Sequence, residues 1–262
     1  MTLDEKVSRL TNILKDAAPL VIAYSGGVDS TCLLAIAHQT LGSQVLGVIA
    51  DSPSLPRAAL QEALEVANKI GASVEIIKTS EFDNEEYLKN PPNRCYFCKA
   101  ELFEKMEKIA RARGFPRIAY GENADDPADL RPGSRAAAEF QVLAPLKSAG
   151  LTKIDVRALS RTLGLPTHDA PAQPCLSSRI PHGTRVTPDA LMLVERAEAA
   201  MRGLGFKVFR VRYLDESPPA ARVQIAPPEL AGSDQEAIRS RLQKTGFSRI
   251  EIDPQGYSGP VT

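Results

Sequence analysis

Nowhere in the 262 residues is there a run of about 18 apolar side chains, so no membrane-spanning helix is expected. The opening residues, Met1-Thr2-Leu3-Asp4-Glu5-Lys6, lack the basic and apolar blocks of a signal peptide, which leaves the cytoplasm as the expected compartment. An excess of one charge is missing too. Lys plus Arg and Asp plus Glu number 32 each, so no basic field points to nucleic acid and no partner of that class is expected. Cysteine is scarce. Four in such a chain argue against a disulfide framework and for metal, redox or nucleophile roles. No internal repeat or low-complexity tract is present. What remains is an ordinary globular composition, 43% hydrophobic and 24% charged, long enough for a large domain with a smaller partner.

Periodicity predicts an amphipathic helix over residues 3–17, with Leu3, Val7, Leu10, Ile13 and Leu14 at helical spacing. The apolar run Leu20-Val21-Ile22-Ala23-Tyr24 reads as a strand, followed by a glycine loop and a helix to Leu41, stopped by Gly42. Further strands are expected at 45–50, 74–78 and 118–121, alternating with helices at 56–70 and 100–113. That rhythm argues for an α/β fold with a doubly wound, mostly parallel sheet. After Pro181 the order becomes helix (188–204), strands (207–213 and 221–226), helix (234–245) and strand (248–253), a smaller α+β domain. The loop-rich stretch 168–187, with Pro171, Pro174, Pro181 and Gly183, separates the two, and the expected domains are 1–180 and 181–262.

Where a strand meets a helix and an anion must bind, glycines let the backbone approach and the first helical N–H groups supply donors. Gly26 and Gly27 meet the first need in Ser25-Gly26-Gly27-Val28-Asp29-Ser30, and Ser25 and Ser30 add hydroxyls. The loop lacks the Gly-Lys-Ser/Thr ending of a Walker A motif. The whole string after an apolar strand resembles the pyrophosphate loop of the ATP-pyrophosphatase (PP-loop) superfamily. That resemblance implies an adenine nucleotide alpha hydrolase-like domain whose loop, Ser25, Gly26, Gly27, Asp29 and Ser30, grips the β- and γ-phosphates of ATP. Asp51-Ser52-Pro53-Ser54 follows the second strand, where Ser52 is placed for nucleotide contact. Tyr120-Gly121-Glu122-Asn123-Ala124-Asp125-Asp126 follows the fourth strand. Gly121 and Asn123 suit a nucleotide loop, and Asp125 and Asp126 suit either Mg²⁺, which takes oxygen ligands, or a helix N-cap.

Cys95-Tyr96-Phe97-Cys98 is a lone C-x-x-C: half a zinc site, a redox pair or a pair of cluster ligands. Zinc would need Cys175 and a histidine such as His168 or His182 to complete it. Cys32, inside the helix after the phosphate loop, reads as a buried structural cysteine. Cys175 lies in the connector Gln173-Pro174-Cys175-Leu176-Ser177-Ser178-Arg179, where a nearby Arg179 would favour its thiolate.

The strings Asp51–Arg57, Asn93–Lys99, Gly121–Gly133 and Cys175–Gly183, with Phe209–Arg212 and Gly256-Tyr257, together resemble the ATP-dependent sulfur insertase (LarE) family. That family helps build the nickel-pincer cofactor of lactate racemase, and the resemblance covers nearly the whole chain. It implies adenylation of a carboxylate of pyridinium-3,5-biscarboxylic acid mononucleotide, then displacement of AMP by sulfur. Some members sacrifice the cysteine corresponding to Cys175. Others hold a [4Fe-4S] cluster on three cysteines, leaving one iron open to an added sulfide. Cys95, Cys98 and Cys175 match the second type. Resemblance also implies a homo-oligomer (a hexamer) and other enzymes of the cofactor pathway as partners. An anionic mononucleotide calls for guanidinium groups, and Arg179, Arg210 and Arg212 are the candidates. Arg210 and Arg212 share one face of a strand. Glu195 and Glu198, a helical turn apart, are candidate proton carriers. The rival readings are a tRNA thiolation enzyme, an ammonia-using amide synthetase and a non-enzymatic nucleotide-binding module.

Overall fold

The computed structural model describes residues 1–127 and 132–257. Residues 128–131, inside the Gly121–Gly133 string, and 258–262 lie outside the described residues. The chain begins α1 (Leu3–Ala17), β1 (Leu20–Ala23), α2 (Val28–Leu41), β2 (Val45–Asp51), α3 (Arg57–Ile70) and β3 (Val74–Lys78). It continues with α4 (Glu85–Leu88), α5 (Arg94–Arg113), β4 (Arg117–Tyr120), α6 (Pro132–Glu139), α7 (Pro145–Ser148) and α8 (Lys153–Thr162). The last elements are α9 (Pro188–Gly203), β5 (Phe209–Leu214), β6 (Ala220–Ile225), α10 (Pro227–Leu230), α11 (Gln235–Gln243) and β7 (Ile250–Ile252).

The chain divides into two compact units, Met1–Asp83 with Asn93–Gln173, and Asn84–Pro92 with Pro174–Thr262. In the first, a parallel sheet of order β3-β2-β1-β4 forms as the alternation of strand and helix requires. Strand side chains alternate between faces, and β1 shows what that does. Leu20 and Ile22 enter one core with Leu10 and Leu14 of α1, Leu33 and Leu34 of α2, Ala63 of α3 and Val156 of α8. Val21 enters the other with Phe103 and Met106 of α5 and Ala136 of α6. Helices therefore cover both faces, and the central strands β1 and β2 are apolar on both sides. This is the doubly wound PP-loop sheet expected from the sequence.

The second unit carries a mixed sheet of order β5-β6-β7, in which β5 and β6 are antiparallel and β6 and β7 parallel. The sequence reading placed the division after residue 180. The compact units part after Gln173, and Asn84–Pro92 from the first half joins the second unit. Hydrogen bonds explain that excursion. Asn90, fully buried, donates from Nδ2 to the carbonyls of Ile180 (3.2 Å) and Pro181 (2.7 Å), and its own carbonyl accepts from Gly183 N–H at 3.0 Å. Val186 N–H donates to Leu88 O at 2.9 Å, and the Tyr87 and Ser177 hydroxyls meet at 2.8 Å.

Candidate functional site

Parallel strands leave their functional loops at the carboxyl edge. There β1 ends at Ala23 and the chain turns into α2 through Ser25-Gly26-Gly27. Gly26 adopts φ +74°, and a Cβ there would stand 2.5 Å from Ala63 Cβ on α3, so only glycine permits this turn against that helix. Gly27 is the N-cap of α2, and its carbonyl accepts from Thr31 N–H at 2.9 Å. The Ser25 and Ser30 hydroxyls lie 3.0 Å apart, and Ser25 N–H donates to Ser30 Oγ at 3.2 Å. Tyr24 O–H donates to Ala63 O at 2.8 Å and fixes the strand end to α3. A cavity of about 180 Å³ opens against this loop, and Ser25, Gly27, Asp29, Ser30, Lys99 and Gly121 are among its lining. Backbone donors at a helix start, with two hydroxyls beside them, make an anion cradle.

Gly121 follows β4 and lies against the same helix start. A Cβ at 121 would meet Ser30 N at 2.7 Å and the Asp29 carbonyl carbon at 2.9 Å. The aspartates of the two loops are engaged locally. Asp29 Oδ1 accepts from Asn123 Nδ2 at 3.2 Å, while Oδ2 pairs with Lys153 Nζ at 2.5 Å. Asp125 Oδ2 accepts from Lys153 N–H at 2.7 Å, and Asp126 Oδ2 from Asn123 N–H at 3.2 Å. One oxygen of Asp125 thus satisfies the first backbone N–H of α8, whose N-cap is Thr152. Ser52 is buried after β2, where its Oγ accepts from Ser54 N–H at 3.0 Å and its carbonyl from Arg57 Nη2 at 2.6 Å.

Beneath the cavity is a polar network. Tyr120 O–H donates to Glu122, whose other oxygen accepts from Ser134 Oγ at 2.6 Å. Burial works to raise the Glu122 carboxyl. Bonds from Ser134 and Tyr120 and the charges of Lys147 and Lys99 outweigh it, holding the group below its ordinary value. Burial and the Glu122 carboxylate push Tyr120 up.

The cysteines separate by exposure. Cys32 is fully buried on α2, and burial pushes its thiol up to about 11. Cys95 and Cys175 are exposed and Cys98 is half-buried. The helix expected over 100–113 begins at Arg94, so the C-x-x-C pair occupies its first turn and not a preceding loop. At positions i and i+3 the two thiols share one side of α5. Cys175, in the second unit, immediately precedes the tight turn Leu176–Arg179. Among the described residues, no three His, Cys, Asp or Glu side chains gather as a metal-holding group.

In the second unit, Arg179 and Glu198 are 3% and 2% exposed as side chains and form a two-pronged pair, Nε–Oε1 2.8 Å and Nη2–Oε2 3.1 Å. The third nitrogen donates to Pro174 O (2.5 Å), Cys175 O (3.1 Å) and Ser178 Oγ (2.9 Å). Glu198 also accepts from Val211 N–H at 3.3 Å. Both residues are thus committed to one another. Glu198 anchors Arg179, and Arg179 anchors the backbone on which Cys175 sits. Glu195 lies half-buried one turn earlier on α9.

Strand β5 alternates as expected. Val211 is buried with Val223 and Ile225 of β6. Arg210 and Arg212 share the other face with their cross-strand partners Gln224 and Arg222. The Arg210 guanidinium stacks 4.9 Å over the Tyr257 ring, and burial, then the Arg179 charge, lowers its pKa. Arg212 donates to Gln224 Oε1 at 2.6 Å. Arg222, which the sequence reading passed over, pairs with Glu251 at 3.0 Å. Period-2 alternation along β6 was the signal for it. Lys99 was likewise passed over as a cavity residue, although it closes the Asn93–Lys99 string one turn after Cys95.

A family model described as NAD synthase matches residues 3–125. An uncharacterised protein of Synechocystis sp. is 39% identical over 259 residues, 97% of this chain and 96% of its own length. The pyridinium-3,5-bisthiocarboxylic acid mononucleotide synthase of Lactiplantibacillus plantarum is 32% identical over 261 residues, 98% of this chain and 93% of its own. A tRNA-specific 2-thiouridylase of Rickettsia africae is 28% identical over 199 residues, covering 62% of this chain and 54% of its own.

Proposed function

The chain belongs to the ATP-dependent sulfur insertase (LarE) family within the PP-loop superfamily, and from that premise we propose that it adenylates a carboxylate of pyridinium-3,5-biscarboxylic acid mononucleotide and converts it to a thiocarboxylate. The observation that carries this reading is end-to-end similarity to the bisthiocarboxylic acid mononucleotide synthase in a chain whose phosphate loop is built at the carboxyl edge of a parallel sheet. The enzyme is an ATP-dependent sulfurtransferase releasing AMP and pyrophosphate. Its ATP contacts are assigned to Ser25, Gly26, Gly27, Asp29, Ser30, Ser52, Gly121 and Asn123, and Mg²⁺ with Asp125 and Asp126 belongs to the same assignment. The arginine-bearing face of β5 supports a site for the phosphate and carboxylates of the substrate, with Arg210 and Arg212 as its guanidinium groups. Arg179, Glu198 and Glu195 are assigned to the same site, the first two as the pair that holds the Cys175 backbone.

Sulfur is assigned to Cys95, Cys98 and Cys175. The support is accessibility: these three lie toward the surface, while Cys32 is sealed in the core. Three thiolates suit a [4Fe-4S] cluster with one open iron, which supplies sulfide when bound. Cytoplasmic location, a hexamer and partnership with other enzymes of the nickel-pincer pathway complete the proposal.

The test is iron and acid-labile sulfide content after anaerobic reconstitution, wild type against Cys98→Ala. About four irons per chain, lost in the variant, support the cluster. Metal-free protein in which Cys175 becomes dehydroalanine after ATP and substrate supports the sacrificial route instead. Stoichiometric zinc overturns both. A tRNA band shifted at physiological salt would point to the thiouridylase reading, against which the balanced charge stands.

A further inference from the structure

The structure assigns Lys99, on the helix that opens with the C-x-x-C pair, as the cation that binds the pyrophosphate portion of ATP in the cavity at the phosphate loop. This deepens the ATP-dependent reading above and rests on it.

Placement comes first. Lys99 lines the same cavity as Ser25, Gly27 and Ser30. Its stem runs past Gly133, where a Cβ would come within 2.7 Å of Lys99 Cδ, 2.9 Å of Cε and 3.0 Å of Nζ, so the glycine clears the path on which the side chain lies. The ammonium stands 4.6 Å from the centroid of the Tyr120 ring. Tyr120 is held in turn by its bond to Glu122, which Ser134 at 2.6 Å and Lys147 at 3.5 Å secure from α6 and α7. A lysine on a flexible four-carbon stem is thereby given a defined seat.

Charge is the second argument. The loop offers N–H groups and hydroxyls, which are neutral donors, and its carboxylate, Asp29, opposes an anion. The other lysine reaching this loop, Lys153, is paired with Asp29 at 2.5 Å, and the two charges offset each other. Among the described residues that line the cavity, Lys99 is the lysine, and its positive charge adds to that of the helix N-terminus. A compact ammonium suits phosphate oxygens as a point charge. In adenylation a substrate carboxylate oxygen attacks the α-phosphorus, the bond from that phosphorus to the β-bridging oxygen breaks, and pyrophosphate leaves with the electron pair. Lys99 keeps its proton throughout and offsets the charge that the leaving group gathers.

The site also explains why one helix bears both features. Cys95 and Lys99 are four residues apart on α5, about 6 Å along its axis and on one face. Cys95 thus lies on the helical turn next to the one that contacts pyrophosphate.

The experiment is calorimetric titration of the full chain with ATP, inorganic pyrophosphate and AMP, each with Mg²⁺, for wild type, Lys99→Met, Lys99→Arg and Lys108→Met. Loss of Lys99 should weaken pyrophosphate and ATP by roughly 10- to 100-fold, the value of a charged hydrogen bond, and leave AMP within about threefold. Lys99→Arg should recover part of the loss, and Lys108→Met, a change at an exposed position of the same helix, should bind all three ligands as wild type does. Melting curves without ligand check the fold, and Lys99→Gln carries the same comparison if the methionine variant melts early. Wild-type pyrophosphate affinity in a folded Lys99→Met or Lys99→Gln overturns the assignment, as does an equal loss for AMP and pyrophosphate. A wild type that binds neither ATP nor pyrophosphate overturns the ATP-dependent reading along with it.

Discussion

Replacing Glu198 with alanine strands a guanidinium. Arg179 and Glu198 are 3% and 2% exposed, and the carboxylate receives both prongs of the arginine fork and the Val211 N–H. Removing one partner of so deeply buried a pair costs about 3–5 kcal/mol, because the remaining charge has no water to turn to. Arg202, 3.7 Å from Glu198 and half-exposed, adds little to that cost when its own pair is lost, since exposed pairs contribute about 0–1 kcal/mol. Glu198→Gln keeps the shape and one acceptor, so about 1.5–3 kcal/mol is expected. The double variant Arg179→Met/Glu198→Leu should recover most of the loss, because it buries no charge at all. Urea denaturation followed by far-UV circular dichroism measures all three, and the double-mutant cycle isolates the coupling. A second readout follows from the Arg179 bonds to the carbonyls of Pro174 and Cys175: alkylation of Cys175 should quicken in Glu198→Ala as that backbone loses its anchor. Glu198→Ala within about 1 kcal/mol of wild type, or a double variant whose cost is the sum of the singles, would refute the reasoning.

Gly121→Ala drives a Cβ to 2.7 Å from Ser30 N, backbone that cannot step aside, so ATP affinity should fall by roughly tenfold or more with about 1–3 kcal/mol of destabilisation. Unchanged ATP titration in that variant would contradict the close approach of β4 to α2. Cys32, whose folded pKa is raised to about 11 from 9.0, holds its proton longer in the native state than in the unfolded chain. Its contribution is therefore complete below pH 9 and lost as pH rises through 11, by at most about 2–3 kcal/mol. The stability gap between wild type and Cys32→Ala should narrow over that window, and a constant gap would refute it. Arg212→Ala should raise the KM for the mononucleotide by roughly 10- to 100-fold while leaving the KM for ATP unchanged, so a shift in both would remove Arg212 from substrate binding.

Much of the first unit was legible in the sequence because its signals are local. Apolar strands of four to seven residues, helices with clear periodicity and a glycine-rich turn each report on neighbours within a few positions. The start of α5 was not legible for the same reason. Phe103, Met106 and Ala110 mark its buried stripe, but Cys95, Tyr96, Phe97 and Cys98 in the first turn contribute no fully buried apolar side chain to reveal it. Glu198 read as a candidate proton carrier, and its pairing with Arg179 was not legible, since i,i+3 spacing from Glu195 says nothing of a residue nineteen positions earlier.

The sequence alone determined the kind of chemistry. The phosphate loop, the three separated cysteines and the arginine alternation on β5 are strings whose residue types limit what they can bind. Tertiary structure decided which of these groups are available and which are spent on one another. Asp29 went to Lys153, Glu198 went to Arg179, Asn84–Pro92 went to the second unit, and Lys99 came to the phosphate cavity. Each outcome depends on burial and on hydrogen bonds between residues far apart in the chain. Such pairings exist only once folding has removed water and placed a partner within about 3 Å, and no pattern along the chain encodes that distance.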